Sequence, residues 1–543
     1  MRRATPYKAA PFSSDQFSSD QFSSDQFSSG PDAIVIGSGI GGLSVAACLA
    51  RHGRRVCVLE RHYRAGGLTH TFSRKGYTWD VGLHYLGRVH DPDAPLRHAF
   101  DYVSEGRLEW ARLDPVYDRV VFDDATYDFA AGRGAFRADL VERFPGEVDA
   151  IDRYLELLDE VDEAAERYFT QRLVPGPLAK LTRPFLTRAF SRHARRTTAE
   201  VLGELTSNRR LIGVLTGRYG NYGLPPASSS FAMHALVAHF YLDGASYPVG
   251  GGDRLFESIV PTIRRAGGDV YVNAEVDEIL VEGRRAVGVR LCNGDELRAP
   301  IVISNATLHT TAFDLLPDSS RQRDLAGRAA QIEPSTGHIC LYLGVDGSAE
   351  QLGLSAQNTW VHAGYDHDAH LRAFSADPSQ PLPMVYINSP SARNPSWQRQ
   401  HPDRSTLTAI CPAPYSWFER WRGTDWKRRG EEYEAFKDEL RRRLLDTVLD
   451  HYPAVAGRIE HQELSTPLST EHFTAHHRGA AYGLAHSPTR FEKPWLRASL
   501  PFRGLYLVGQ DLVTVGVGAS MLSGLLVASR ILRRNLLAVA AEA

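Results

Sequence analysis

Cysteine is scarce in this chain of 543 residues: there are five, Cys48, Cys57, Cys292, Cys340 and Cys411, and no two form a CxxC pair. That spacing argues against a disulfide framework and a cysteine-based zinc site, and makes a reducing, cytoplasmic setting the expectation. Long apolar runs are missing too. No stretch approaches the roughly 18 residues that cross a bilayer, and no secretory signal pattern is visible, so a soluble or peripheral protein is expected. Excess charge of one sign is absent: 62 basic residues against 64 acidic ones leave a net −2, and no concentrated basic surface for nucleic acid is expected. The 21 histidines show no HExxH or similar ligand spacing, so no metal is expected. A GxSxG nucleophile elbow is lacking as well. With 43% hydrophobic and 23% charged residues the chain can still bury a large core, enough for about two to four domains or one large α/β unit.

Residues 1–30 stand apart. The pentad FSSDQ occurs three times from Phe12 and breaks off at Phe27. A five-residue period suits neither helix nor strand, and Ser, Asp and Gln bury too little surface to offset chain entropy, so this segment is expected to be disordered.

Order is expected from Pro31 onward. Residues 32–36 form a short apolar run rich in β-branched side chains, as in a buried parallel strand. It leads into Gly37, Ser38, Gly39, Ile40, Gly41 and Gly42, a GxGxxG. Helical spacing follows over 43–52, stopped by Gly53, and a second apolar strand over 56–59 ends at Glu60. Strand, glycine turn, helix, strand and acid in this order form a dinucleotide fingerprint. The first glycine permits the turn, the second lets backbone approach a pyrophosphate, and the third lets helix and strand pack closely. Glu60 is placed to accept hydrogen bonds from a ribose diol.

Arg61 follows the acid, and Gly66, Gly67, Leu68 and Thr69 place small residues just beyond it. This E-x₅-GG pattern resembles the glutathione-reductase-like flavoproteins, and no second GxGxxG is present for a nicotinamide domain. One tightly held, non-covalent FAD is expected, with NAD(P)H at most a transient electron donor. Two later segments are expected to close the same site. Residues 266–305 read as a crossover strand plus a β-meander with a hairpin at Asn293 and Gly294, bringing Val276 toward an adenine and Ser304 back to the sheet. Residues 504–511 read as a last core strand ending in Gly509, Gln510 and Asp511. Gly516, Val517 and Gly518 then open an apolar helix at about 520–534. A carboxylate and a second helix N-terminus suit a ribityl chain and an electron-rich ring edge.

Several of these strings resemble one family. GGLTHTF at 66–72, DVGLHYLG at 80–87, YPVGGG at 247–252, RGAAYG at 478–483, GLYLVGQD at 504–511 and ILRRN at 531–535 are similar to the all-trans-retinol 13,14-reductase (retinol saturase) family, close to carotenoid isomerases and bacterial phytoene desaturases. The resemblance implies a mixed α/β fold: a Rossmann-like FAD-binding domain of the glutathione-reductase and p-hydroxybenzoate-hydroxylase type, with an inserted antiparallel-sheet and helical substrate domain. The FAD-binding domain is assigned to 31–110, 245–312 and 500–543, and the substrate domain to 111–244 and 313–499. The implied activity is saturation of one double bond of a conjugated isoprenoid, a retinoid or carotenoid, by hydride from reduced flavin. Isomerisation and desaturation are the alternatives. A non-catalytic prenyl-lipid binder on the same fold, as in Rab escort proteins, is the alternative of another class, and flavin amine oxidases share the glycine motifs.

Saturation needs a proton donor near the flavin. His84 and Tyr85 in the DVGLHYLG stretch, and Tyr482 before the last strand, are the candidates, with loop orientation an equal reading for the first two. His476 and His477 read as solvated. In the insertions, 153–168 and 431–450 show helix-face spacing, and 339–345, 384–388 and 406–411 read as strands. Residues 173–196 mix leucine and phenylalanine with Lys180, Arg183, Arg188, Arg192, Arg195 and Arg196 and hold no acid. That pattern suits either a membrane-facing segment or an ordinary surface helix, with Pro184 limiting its length.

Overall fold

The computed structural model describes residues 5–6, 30–174 and 176–542. The FSSDQ repeats, and with them nearly all of the segment expected to be disordered, lie outside those residues. Thr5–Pro6 is described and pairs antiparallel with Tyr271 and Val272.

Strand β1 (Ala33–Ile36), helix α1 (Ile40–Ala50) and strand β2 (Val56–Leu59) follow one another as the fingerprint requires. Both strands are buried at every position, which is why they are continuous apolar runs rather than alternating ones. Strands β3 (Asp269–Val272), β4 (Val302–Ser304) and β5 (Leu505–Leu507) complete a parallel sheet in the spatial order β3-β2-β1-β4-β5. Between β3 and β4 lies the expected meander, Val276–Glu282, Arg285–Leu291 and Glu296–Arg298, paired antiparallel. Gly294, at φ +92°, turns the hairpin between its last two strands. Helix α1, buried at all of its residues, packs against the late helix Val517–Leu532 and the helix Asp253–Arg265.

A seven-stranded sheet is built from the two insertions. Its spatial order is Ile459–Ser465, His338–Asp346, Arg404–Pro412, Met384–Asn388, Asn358–His362, Val116–Phe122 and Ala125–Ala130. All neighbours are antiparallel except Asn358–His362 with Val116–Phe122, which run parallel. That pair joins strands from different insertions, and with no hairpin between them nothing forces the antiparallel direction. The helix Glu431–His451 covers the sheet with its stripe of Tyr433, Leu440, Leu444 and Val448 buried.

A helical layer adds Val148–Gln171, Gly176–Ala194 and Phe231–Phe240. Pro184 does not stop the second of these. The helix runs through it, with the ring on the exposed side where the lost N–H costs least. Residues near 480–499 depart from the expected substrate domain, since Leu484 and Leu496 pack in the core beneath β4 and β5.

Several histidines are held neutral by this burial, His70, His234 and His367 among them. These three are at most 8% exposed, and loss of water pushes them down from 6.5 to about 3, about 3 and about 4. The unfolded chain takes up protons at these positions below 6.5, while the folded chain does not until pH 3–4. Stability present at pH 7 is therefore lost as pH falls through that window. The thermal midpoint is expected to drop steadily from pH 6.5 toward about 5, above the ordinary carboxylate range, and calorimetry at closely spaced pH values would contradict this by a flat profile.

Candidate functional site

A cavity of 630 Å³ opens at the carboxyl ends of the parallel strands, lined by Ile36, Glu60, Asn305 and Val508 where β1, β2, β4 and β5 stop. Ligands of open α/β sheets bind at this edge, where the strand order reverses.

The glycine loop forms one end. Gly37, Gly39, Ile40 and Gly41 line the cavity. Helix α1 begins there with Gly39 as its cap, no side-chain cap and no acid in its first turn. Its first N–H groups and positive dipole end are thus free for a pyrophosphate. Gly42 lies behind the wall, where a Cβ would strike the Gly37 carbonyl, so it serves the close packing expected of the third glycine. Gly67, at φ +55°, lines the cavity, and a Cβ on it would stand 2.7 Å from the Gly39 Cα. Leu68 and Thr69 continue the wall. Gly66 is outside it and holds the turn at φ +110°, with its N–H donated to Ser38 Oγ at 3.0 Å.

Glu60 is 6% exposed and lines the cavity. Its Oε2 accepts the Ser38 N–H at 2.9 Å and the Ser38 hydroxyl at 2.7 Å, and its Oε1 accepts the His62 N–H at 2.8 Å. The acid therefore ties the glycine loop to the end of β2 and turns its remaining lone pairs to the cavity. Ser38 is turned inward to it and does not reach the cavity. Arg61, paired with Glu275 at 3.1 Å, and Val276 line the same end.

Gly509, Gln510, Asp511, Gly516 and Val517 form the other end. The helix Val517–Leu532 starts from Gly516 with neither a side-chain cap nor an acid in its first turn, giving a second open N-terminus. Asp511 also braces the fold: its Oδ2 accepts the Leu308 N–H at 2.6 Å and its Oδ1 the Leu484 N–H at 2.8 Å, so the carboxylate that lines the cavity joins three segments. Ser304 and Gly518 lie outside the cavity lining. The Ser304 hydroxyl is fully buried against Thr311 at 2.7 Å, and Gly518 packs against Leu96 and Phe240.

Of the three candidate proton donors, only Tyr482 lines the cavity. Its hydroxyl donates to the Gly220 carbonyl at 2.9 Å, and burial pushes its pKa up to about 12. Tyr85 is core. Its hydroxyl donates to Asp118 Oδ2 at 3.2 Å and accepts from Asn221 at 3.1 Å, and its ring stacks on Tyr241. Asp118, fully buried, is also bonded by Asn358, Trp360 and Arg218, which fixes the tyrosine away from the cavity. His84 does not line the cavity either. Its ring lies 5.3 Å from that of Tyr386, and its carbonyl accepts from Arg393. The polar group that organises the 80–87 stretch is Asp80, which accepts from the Tyr247 hydroxyl and from the Gly252 N–H at 3.0 Å. Two separate strings of the resemblance are thus one brace, and burial pushes Asp80 up to about 7.

Other residues at the site were not singled out from the sequence. Asn305 leaves β4 directly under the glycine loop, and Cβ atoms on Gly39, Gly41 and Gly509 would stand 2.7, 2.8 and 2.9 Å from its side-chain amide. Its place just after an apolar strand was the available signal. Arg490 is fully buried and donates to the carbonyls of Leu484, Gln510, Asp511 and Val513, holding the loop after β5. No local pattern marks it. His338 and Tyr342 line the cavity from one face of a strand, and burial pushes His338 down to about 4. His476 is not solvated: it lines the cavity with Nδ1 2.7 Å from the Ala480 carbonyl oxygen.

Glycines that a Cβ would fill, two uncapped helix N-termini and a buried acid at the ribose position fit an FAD, and no step of the fit requires a metal. Comparison with known proteins agrees. The family model described as flavin containing amine oxidoreductase matches residues 40–532. The chain belongs to this family. It is an FAD-dependent oxidoreductase on a mixed α/β fold. Similar curated relatives include all-trans-retinol 13,14-reductase of Danio rerio, 36% identical over 525 residues, covering 93% of this chain and 86% of that one. The Rattus norvegicus protein of the same name is 35% identical with the same coverage. Among solved structures, putrescine oxidase bound to putrescine superimposes with a TM-score of 0.61 at 17% identity, covering 93% of this chain and 99% of that one, and so shares the fold. Among the described residues no helix is long and apolar enough to cross a membrane, and no cluster of ligating side chains could hold a metal ion.

Replacing Glu60 by Gln removes the charge that gathers Ser38 and His62 and faces the ribose position. FAD affinity is expected to fall by about 1–3 kcal/mol with the fold intact. Flavin fluorescence titration of the stripped protein reads this, and unchanged affinity would place the ribose elsewhere.

Proposed function

We propose that the protein is a retinoid reductase, adding hydrogen across one double bond of the conjugated chain. The observation that carries this reading is the similarity to all-trans-retinol 13,14-reductases along 93% of the chain. Apolar and aromatic side chains, Phe72, Leu315, Tyr342, Leu464 and Phe473, extend the cavity beyond the glycine cradle and suit a polyene.

FAD bound in the cradle supplies the two-electron chemistry. The open start of α1 would hold its pyrophosphate, Glu60 its ribose, and the N-terminus of Val517–Leu532 an electron-rich ring edge. Saturation also needs a proton on the carbon next to the one that receives hydride. Tyr482 stands in the cavity wall and is kept neutral by burial, which makes it the candidate donor; its hydroxyl donates to the Gly220 carbonyl and would have to turn from it to deliver that proton to the substrate. One dinucleotide fingerprint leaves the electron donor transient, either NAD(P)H or a partner reductase, so dithionite should serve at least as well as NADPH.

Anaerobic mixing of reduced enzyme with all-trans-retinol is expected to give a product two mass units heavier, absorbing at shorter wavelength. Unchanged mass with a new retention time would make the enzyme an isomerase, a lighter product a desaturase, and amine-dependent peroxide an amine oxidase. Folded protein that takes up no FAD would favour prenyl-lipid binding. Tyr482→Phe is expected to slow the reduction by about 10²–10⁴-fold while flavin is retained, and an unaffected rate would remove Tyr482 from the reaction.

A further inference from the structure

The helix Gly176–Ala194 divides its residues between two sides. Ala179, Phe190, His193 and Ala194 are buried, with the Phe190 ring stacked 4.3 Å from that of Tyr168. Leu178, Leu181 and Phe185 recur at i, i+3 and i+7 on the outer side, 51%, 72% and 85% exposed. Four large hydrophobic side chains are exposed among the described residues, and these are three of them. Such exposure is costly in water, and no described residue covers them.

Charge identifies the missing neighbour. Lys180 and Arg188 are exposed on this helix and neither has an ion pair among the described residues, whereas Arg192 is paired with Glu160 and Arg183 lies on the inner side near Arg497. Residues 173–196 contain no acid. Two copies of this face would bring like charges together. Three apolar side chains also fall short of the roughly 800 Å² per partner of a stable protein interface. We propose that this helix docks on a bilayer surface bearing anionic headgroups, with Leu178, Leu181 and Phe185 at the acyl boundary and the basic side chains among the phosphates.

The base of the helix is tied to the cavity. Arg172 donates to the Leu512 carbonyl at 2.9 Å and Arg497 to the Gln171 carbonyl at 2.9 Å, so the loop after β5, which lines the cavity, is anchored to the segment that leads into the docking helix. A docked enzyme would hold that wall beside the phase in which retinoids dissolve. This consequence rests on the proposed substrate; the lipid contact does not.

Sedimentation of the full-length, FAD-loaded protein with phosphatidylcholine vesicles, with and without about one quarter phosphatidylglycerol, tests the contact. Binding is expected to rise with the anionic lipid and to fall as salt is added. Leu181→Ser combined with Phe185→Ser should lower partitioning about tenfold, with flavin absorbance unchanged. Lys180→Gln and Arg188→Gln together should abolish the preference for phosphatidylglycerol. No vesicle binding, or binding indifferent to both sets of changes, would overturn the proposal. A lipid-free dimer dissolved by the serine variant would assign the face to a second copy and overturn it as well. Failure to reduce retinol while vesicle binding persists would discard the substrate reading alone.

Discussion

Gly39, Gly41 and Gly509 crowd the side chain of Asn305, and Gly67 lies so close to Gly39 that a single added carbon would stand 2.7 Å from its Cα. Backbone from three distant parts of the chain thereby shares a space that one methyl group would fill. Everything that shapes the cavity serves this approach: the parallel sheet brings the strand ends to one edge, and the two uncapped helices point at it from opposite ends. Side chains of any size at these positions would hold the segments apart and fill the path of an extended dinucleotide.

Buried acids hold this arrangement in place. Glu60 gathers Ser38 and His62, Asp80 joins Tyr247 to Gly252, and Asp511 joins Leu308 to Leu484. Asp253 belongs to the same group, accepting the Thr71 N–H at 2.7 Å and its hydroxyl at 2.6 Å. A carboxylate removed from water needs donors close by, and backbone N–H groups of loops are the donors at hand. Each acid thus fixes a turn that would otherwise be held only by its ends. Beyond the cradle the cavity wall mixes aromatic and aliphatic side chains with charged ones such as Arg74, Lys437 and Glu463.

The nucleotide half was legible because its signals are local. The GxGxxG, the acid after β2 and the Asn293–Gly294 hairpin each act within a few residues, so spacing alone places them. Three strands of the inserted sheet, at 339–345, 384–388 and 406–411, were legible, but the other four were not, nor was the parallel pairing of Asn358–His362 with Val116–Phe122, since nothing in either strand names its neighbour. Tyr85 and Asp511 show the limit at the site. The Tyr85 hydroxyl is claimed by Asp118, and the Asp511 carboxylate at the cavity wall also takes two backbone N–H groups, from residues far away in sequence. Arg490 gave no signal for the same reason: its meaning lies in four carbonyls supplied by the fold.

Strand order also sets a timetable for synthesis. β1 acquires its neighbour β4 only once residue 304 has been made, and β4 acquires β5 only after residue 507. At ribosomal speeds of about 5–20 residues per second, the glycine loop and one edge of its apolar sheet wait on the order of half a minute or more for their last partners. The inserted layers are made in the meantime, so the part of the fold that is first in sequence is closed last. A nascent chain halted before residue 505 has half of a cradle, and cofactor loading is therefore a late event that reports on completion of the whole protein.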